Sequence, residues 1–171
     1  MALRGLANMG CGGGFGGTGV YKHYGAFSDT TTQTASVTTA AYPMRLNTTE
    51  VADGVSVVSG SKITVANTGI YNLQFSAQLD KIAGGAAPVD IDIWLAYTGS
   101  NVPRSNTTIT IQGSQPKVVA AWNFVLPIAA NDYVQLLWKT SDVDGVLFYQ
   151  NSSSSPARPE VPSVIVTLQQ I

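Results

Sequence analysis

The sequence predicts an all-β fold: a jelly-roll β-sandwich over residues 20–171, preceded by a flexible glycine-rich N-terminal arm over residues 1–19. Three observations predict it. From about residue 40 onward, apolar side chains recur with a period of two, the signature of half-buried strands. The segments between the alternating runs carry turn chemistry, and the prolines sit at strand ends and in loops. No segment shows the period and caps of an amphipathic helix. Roughly eight to ten short strands at this spacing, without helices, fit a sandwich or jelly roll.

Residues 10–19, GCGGGFGGTG, hold seven glycines in ten positions. Gly12, Gly14 and Gly17 match a dinucleotide fingerprint in spacing, but that mechanism needs a strand before the run and a helix after it. Neither is predicted. No Gly-Lys-Ser/Thr follows, which excludes a phosphate loop, and the glycines do not fall at every third position, which excludes collagen. A chain this rich in glycine is flexible and costs much entropy to order.

His23, in VYKHYGAF, is expected as a half-exposed strand residue. Val55–Ser59 and Lys62–Val65 read as two short strands joined by a turn at Ser59-Gly60-Ser61, and Asn67-Thr68-Gly69 precedes the longest alternation. There Tyr71, Leu73, Phe75, Ala77 and Leu79 share one face. Val89, Ile91, Ile93 and Leu95 repeat the pattern, then Ile109 and Ile111, then Val134, Leu136 and Trp138, and finally Val164, Val166 and Leu168. Residues 117–128, KVVAAWNFVLPI, are apolar on both faces. Such a strand is covered on both sides, either within its own sandwich or by a neighbouring subunit. Asp144-Gly145 is a two-residue hairpin signal, and Ser152–Ser155 with Pro156-Ala157-Arg158-Pro159 reads as a polar loop.

Charged residues make up only 11% of the chain, against ~25% in an average soluble domain. Hydroxyls, amides and glycine take their place. The net charge of −1 and the scattered Lys and Arg leave no footprint for nucleic acid. No apolar run approaches the ~18 residues of a membrane span, so no membrane partner is expected. The single cysteine, Cys11, cannot pair within the chain. Residues 1–11 lack the apolar core of a secretory signal, which points to synthesis in a cytoplasm without export.

A search for chemistry finds little. His23 is the one histidine, and Cys11 lies in the arm, so neither nucleophilic catalysis nor zinc has its usual residue set. Asp90 and Asp92 share one strand face and repel unless something lies between them. Asp142-Val143-Asp144-Gly145 resembles the start of a calcium loop, but residues 146–153 lack the closing acid. No catalytic residue, cofactor or metal is expected. The Asn-x-Ser/Thr triplets at Asn47, Asn106 and Asn151 mark a surface rich in Asn and Thr.

Gly69-Ile70-Tyr71 opens the long alternating strand, Asn131-Asp132-Tyr133-Val134 opens another after the apolar run around Trp122 and Phe124, and the chain closes on Pro162-Ser163-Val164-Ile165-Val166. Over about residues 40–171 this resembles the jelly-roll domains of the C1q and tumour-necrosis-factor-like class. Such domains recur in tailed-bacteriophage virion proteins, as head decoration proteins and fibre tips. Asn131 stands where that class usually has Gly, and the last strand lacks its Phe-Gly ending.

The resemblance implies a homotrimer packed about a three-fold axis, with Trp94, Trp122 and Phe124 as candidate contacts, and it implies binding rather than catalysis. It further implies a virion protein that decorates and stabilises a phage capsid; in such a protein the glycine-rich arm is expected to order against the shell or an adjacent subunit through Leu6 and Phe15, the alternative being a disordered leader without function. The alternative it leaves open is a tail-associated fibre tip or receptor-binding module, whose partner would be a surface glycan.

Overall fold

The computed structural model describes residues 22–83, 85, 87–114 and 116–171; residues 1–21, with Leu6, Cys11 and Phe15, lie outside them. The described strands are β1 (Tyr24–Asp29), β2 (Gln33–Thr34), β3 (Tyr42–Pro43), β4 (Thr48–Asp53), β5 (Val55–Val58), β6 (Lys62–Val65), β7 (Gly69–Lys81) and β8 (Val89–Tyr97). They continue as β9 (Ser100–Asn101), β10 (Thr107–Ile111), β11 (Val118–Ile128), β12 (Tyr133–Thr140), β13 (Gly145–Leu147), β14 (Ser153–Ser154), β15 (Ala157–Arg158) and β16 (Val164–Gln170). Every main alternation in the sequence is a strand.

Two antiparallel sheets form the sandwich. The first runs β2-β13-β7-β16-β1-β4, with β11 on the free side of β7. The second runs β10-β8-β12-β6-β5, with β3 beside β12 and β9 beside β8. From β7 to β13 the chain repeatedly changes sheets, which is why sequence neighbours are seldom sheet neighbours. The inward residues are those the period picked out. Phe27, Tyr71, Leu73, Val166 and Leu168 from the first sheet meet Ile91, Ile93, Leu95, Leu136 and Trp138 from the second, all essentially inaccessible. The Tyr71 hydroxyl donates to the Asn67 carbonyl at 2.8 Å, and burial pushes its pKa up.

Three local features carry the topology. Ser59 (φ 52°) and Gly60 (φ 72°) lie in the left-handed region that a tight hairpin between β5 and β6 requires. Asn131 also has a positive φ, 68°, just before β12. Asparagine tolerates that conformation better than most residues, so it can stand where a glycine is usual.

At Asp144-Gly145 the structure corrects the sequence. The Gly145 amide donates to the Asp142 carbonyl at 3.0 Å, closing a tight turn, but β13 does not pair with β12. It crosses to the first sheet and pairs with β7 and β2. The turn residues fix a reversal locally; which sheet receives the next strand is decided by distant packing. The loop at residues 152–159 contains a small ribbon, β14 with β15.

Candidate subunit interface

β7 is the axis of the first sheet. Along one side it pairs with β16 and then β13; along the other it pairs with β11 from Gly69↔Ile128 to Leu79↔Val118. No other described strand pairs with β11, so the doubly apolar segment is an edge strand. Its inward side chains include Trp122 and Phe124, which gather on Phe75: the Trp122 ring lies 4.6 Å from Phe75 edge-on, and Phe124 stacks at 6.4 Å. Both are half-buried because β11 stands at the open margin of the sandwich. The Trp122 indole nitrogen is buried with no hydrogen-bond partner among the described residues. Pro127, exposed near the end of β11, faces Ile70 across the ladder.

The outward side of this sheet is unusual. In successive rows across β11, β7, β16 and β1 stand Val125, Asn72, Gln169 and Tyr24, then Asn123, Gln74, Thr167 and Ala26, then Ala121, Ser76, Ile165 and Ser28. None is charged. Large apolar side chains lie open on this face: Val119 and Val125 are 56% and 58% exposed, with Ile70, Ile165, Tyr24 and, on β4, Val51 beside them. Charge returns only at the margins. Glu50 on β4 accepts from the Ser28 hydroxyl at 2.8 Å, and Asp80 at the end of β7 pairs with Lys117 at 2.6 Å.

The other outer face is ordinary by comparison. Asp90 and Asp92 project from β8 as expected, and the structure supplies what separates them. Thr110 donates to Asp90 at 2.6 Å, Thr108 donates to Asp92, and Lys139 on β12 lies 3.2 Å from Asp92. Trp94 shares this face, its indole N–H donating to Asn101 Oδ1 at 2.8 Å. The three aromatic residues anticipated as contacts are therefore not brought together: Trp122 and Phe124 line the open margin of the sandwich, and Trp94 stands on the opposite sheet.

His23 precedes β1 rather than lying within it. It is half-buried against Gly54, where φ is +68° and an added Cβ would come within 2.1 Å of the His23 ring, and its Nε2 lies 2.8 Å from the Asn67 side-chain amide. Asp142 is occupied in the turn, its carboxylate accepting from the Asp144 amide at 3.0 Å. Among the described residues no group of three or more His, Cys, Asp or Glu could hold a metal ion.

The sequence reading missed Tyr24, Val51, Val119, Val125 and Ile165 as surface features. The signal was present as an absence: the polar positions of 70–79 and 163–169 are all amides, hydroxyls or aliphatics up to Asp80.

No family model matches the chain, and no curated protein matches it significantly. Solved structures do. The crystal structure of murine APRIL at pH 8.5 superposes with a TM-score of 0.53 at 10% identity, covering 88% of this chain and 99% of that one. Murine APRIL at pH 5.0 gives 0.52 at 9% identity over the same shares. The fold is a TNF-like jelly roll. At such identity the likeness carries the architecture alone; what this TNF-like jelly roll does must be argued from its own surface.

Proposed function

We propose that this chain is a non-enzymatic structural protein that works as a homotrimer, and that its place is on a bacteriophage particle, as a decoration or cement protein that holds the capsid together. The observation that carries self-association is the uncharged outer face of β11, β7, β16 and β1, with its open valines and isoleucines, and the resemblance to C1q- and TNF-like domains supports the number three. A protein surface that must stay in water seldom leaves so much contiguous sheet without a charge. A second copy covers it at little desolvation cost, because amides and hydroxyls can pair across an interface while the aliphatic groups leave water. The half-buried aromatic margin of β11 adds apolar surface next to that face.

The mass in solution tests the trimer. Light scattering under reducing conditions should give about three times 17.9 kDa; a 17.9 kDa species would overturn it.

The capsid assignment is supported by the charge-poor composition and by the resemblance to jelly-roll virion proteins. In this reading residues 1–19 attach the domain to the shell through Leu6 and Phe15. Deleting them should abolish binding to purified heads and leave the domain's mass and melting unchanged. Full binding by the truncated protein would remove the arm from the account, and binding of the intact chain to tails rather than heads would replace decoration by the fibre-tip reading. A cleft on the outer face of the second sheet, lined by Trp94, Asn101, Arg104 and Lys139, is the observation that favours that alternative.

A further inference from the structure

The outer face of the second sheet holds a cleft of about 350 Å³, lined among others by Asp92, Trp94, Asn101, Arg104, Asn106 and Lys139. A second hollow of about 370 Å³ shares Asp92 and Lys139 with it and runs on toward Asp90, Thr108 and Ser141. We propose that these two adjoining hollows bind a saccharide, with a carboxylate-bearing sugar seated on Trp94 and its acid group held by Arg104.

Trp94 sets the platform. It is half exposed, and its one donor is already spent on Asn101, which fixes the ring in place. A rigid aromatic face in a polar surround suits a ligand that is flat and apolar on one side and rich in hydroxyls around its rim, which describes a pyranose ring. Little side-chain entropy remains to be lost on binding.

The rim supplies hydroxyl partners. Asp92 already accepts from Thr108 and faces Lys139 at 3.2 Å, yet a carboxylate has about four acceptor sites, so capacity is left. The Asn106 side chain is exposed and has no hydrogen bond among the described residues, leaving both a donor and an acceptor free.

Arg104 sets the charge. Asp92 and Lys139 offset one another, whereas the exposed Arg104 guanidinium has neither an ion pair nor a hydrogen bond among the described residues. Arg104 stands in the turn between β9 and β10, with φ +64°. An uncompensated guanidinium beside an aromatic platform matches a carboxylate, which it can bind through two parallel hydrogen bonds. The adjoining hollow holds Asp90 and several hydroxyls, a surround that accepts from neutral sugar hydroxyls and takes the next residues of the same glycan.

The groove lies within one chain and on the face opposite the uncharged one, so it rests on neither the trimer nor the capsid assignment. A monomeric mass would overturn the trimer and leave the groove standing.

A glycan array bearing uronate- and sialate-containing, sulfated and neutral saccharides tests it, probed with the intact chain, Trp94→Ala and Arg104→Gln. The expected result is wild-type signal on carboxylate-bearing glycans, at least tenfold weaker in Arg104→Gln and lost in Trp94→Ala, with all three proteins melting alike and eluting at one mass. Should Trp94→Ala fold poorly, the surface change Arg104→Gln decides alone. No wild-type signal on any glycan overturns the site. Signal confined to neutral or sulfated glycans, or unchanged in both variants, overturns the assignment of Arg104 and Trp94.

Discussion

The two outer faces of this sandwich are built alike and look nothing alike. Both belong to antiparallel sheets whose alternate residues fill one shared core. On the second sheet the outward positions carry Asp90 and Asp92, which accept from threonines, Lys139, which pairs with Asp92, and Trp94, which donates to Asn101. On the first, three successive rows across four adjacent strands present amides, hydroxyls and exposed aliphatics without a formal charge. Period two says which side chains leave the core. What they meet outside is written in their chemistry, and that chemistry supports the proposal that one face serves water and soluble ligands and the other a copy of the chain.

The sharpest way to break this contrast is a matched pair of changes. Thr167→Arg puts a cation in the middle of the uncharged face. Burying it unpaired costs several kcal/mol per subunit, so the trimer should fall to a 17.9 kDa species with an unchanged β spectrum. Thr110→Arg, on the other outer face beside Asp90, should leave the mass as it was. If both variants behave alike in light scattering, the faces are not functionally different.

The two half-buried tryptophans make a second pair. Trp122→Ala removes the ring that meets Phe75 edge-on and should cost about 2 kcal/mol by urea unfolding, less than the ~3–5 of a fully buried aromatic because the margin is half open. Trp94→Ala should cost less than about 1 kcal/mol, since its loss uncovers no core. Equal losses would mean that Trp94 is structural.

The smallest effect is expected at Lys139. Its pair with Asp92 is 51% exposed on the lysine side and 15% on the aspartate, so Lys139→Met should change stability by no more than about 0.5 kcal/mol, an effect that fades as salt is added. A larger, salt-independent loss would place this pair in a structural rather than a solvated role.

How much of this could be read beforehand follows from the range of each signal. The core strands were legible because alternation is local: Tyr71 to Leu79 and Val89 to Leu95 announce their inward faces within ten residues. The fate of Asp144-Gly145 was not, because a turn specifies a reversal and says nothing about the sheet that takes the following strand. β11 was legible as apolar on both sides, but its position at an edge depends on β7 pairing, about forty to sixty residues away in sequence. The groove beside Trp94 was hidden for the same reason, since Lys139 reaches Asp92 only when β12 lies beside β8, and Arg104 comes to the same hollow only when β9 and β10 pair with β8. Two-residue strands such as β2 and β9 are too short to show any period.

Pro127 has one last consequence. It sits in β11, one edge strand of the first sheet, where a peptide nitrogen without hydrogen leaves a gap in any ladder a foreign strand tries to extend along that edge. Copies of this chain are thereby discouraged from joining edge to edge, the mode that has no natural end and leads to fibres. Contact through a broad sheet face about a rotation axis closes on itself at a fixed number of subunits, so one imino acid at a sheet margin favours a countable particle over an open polymer.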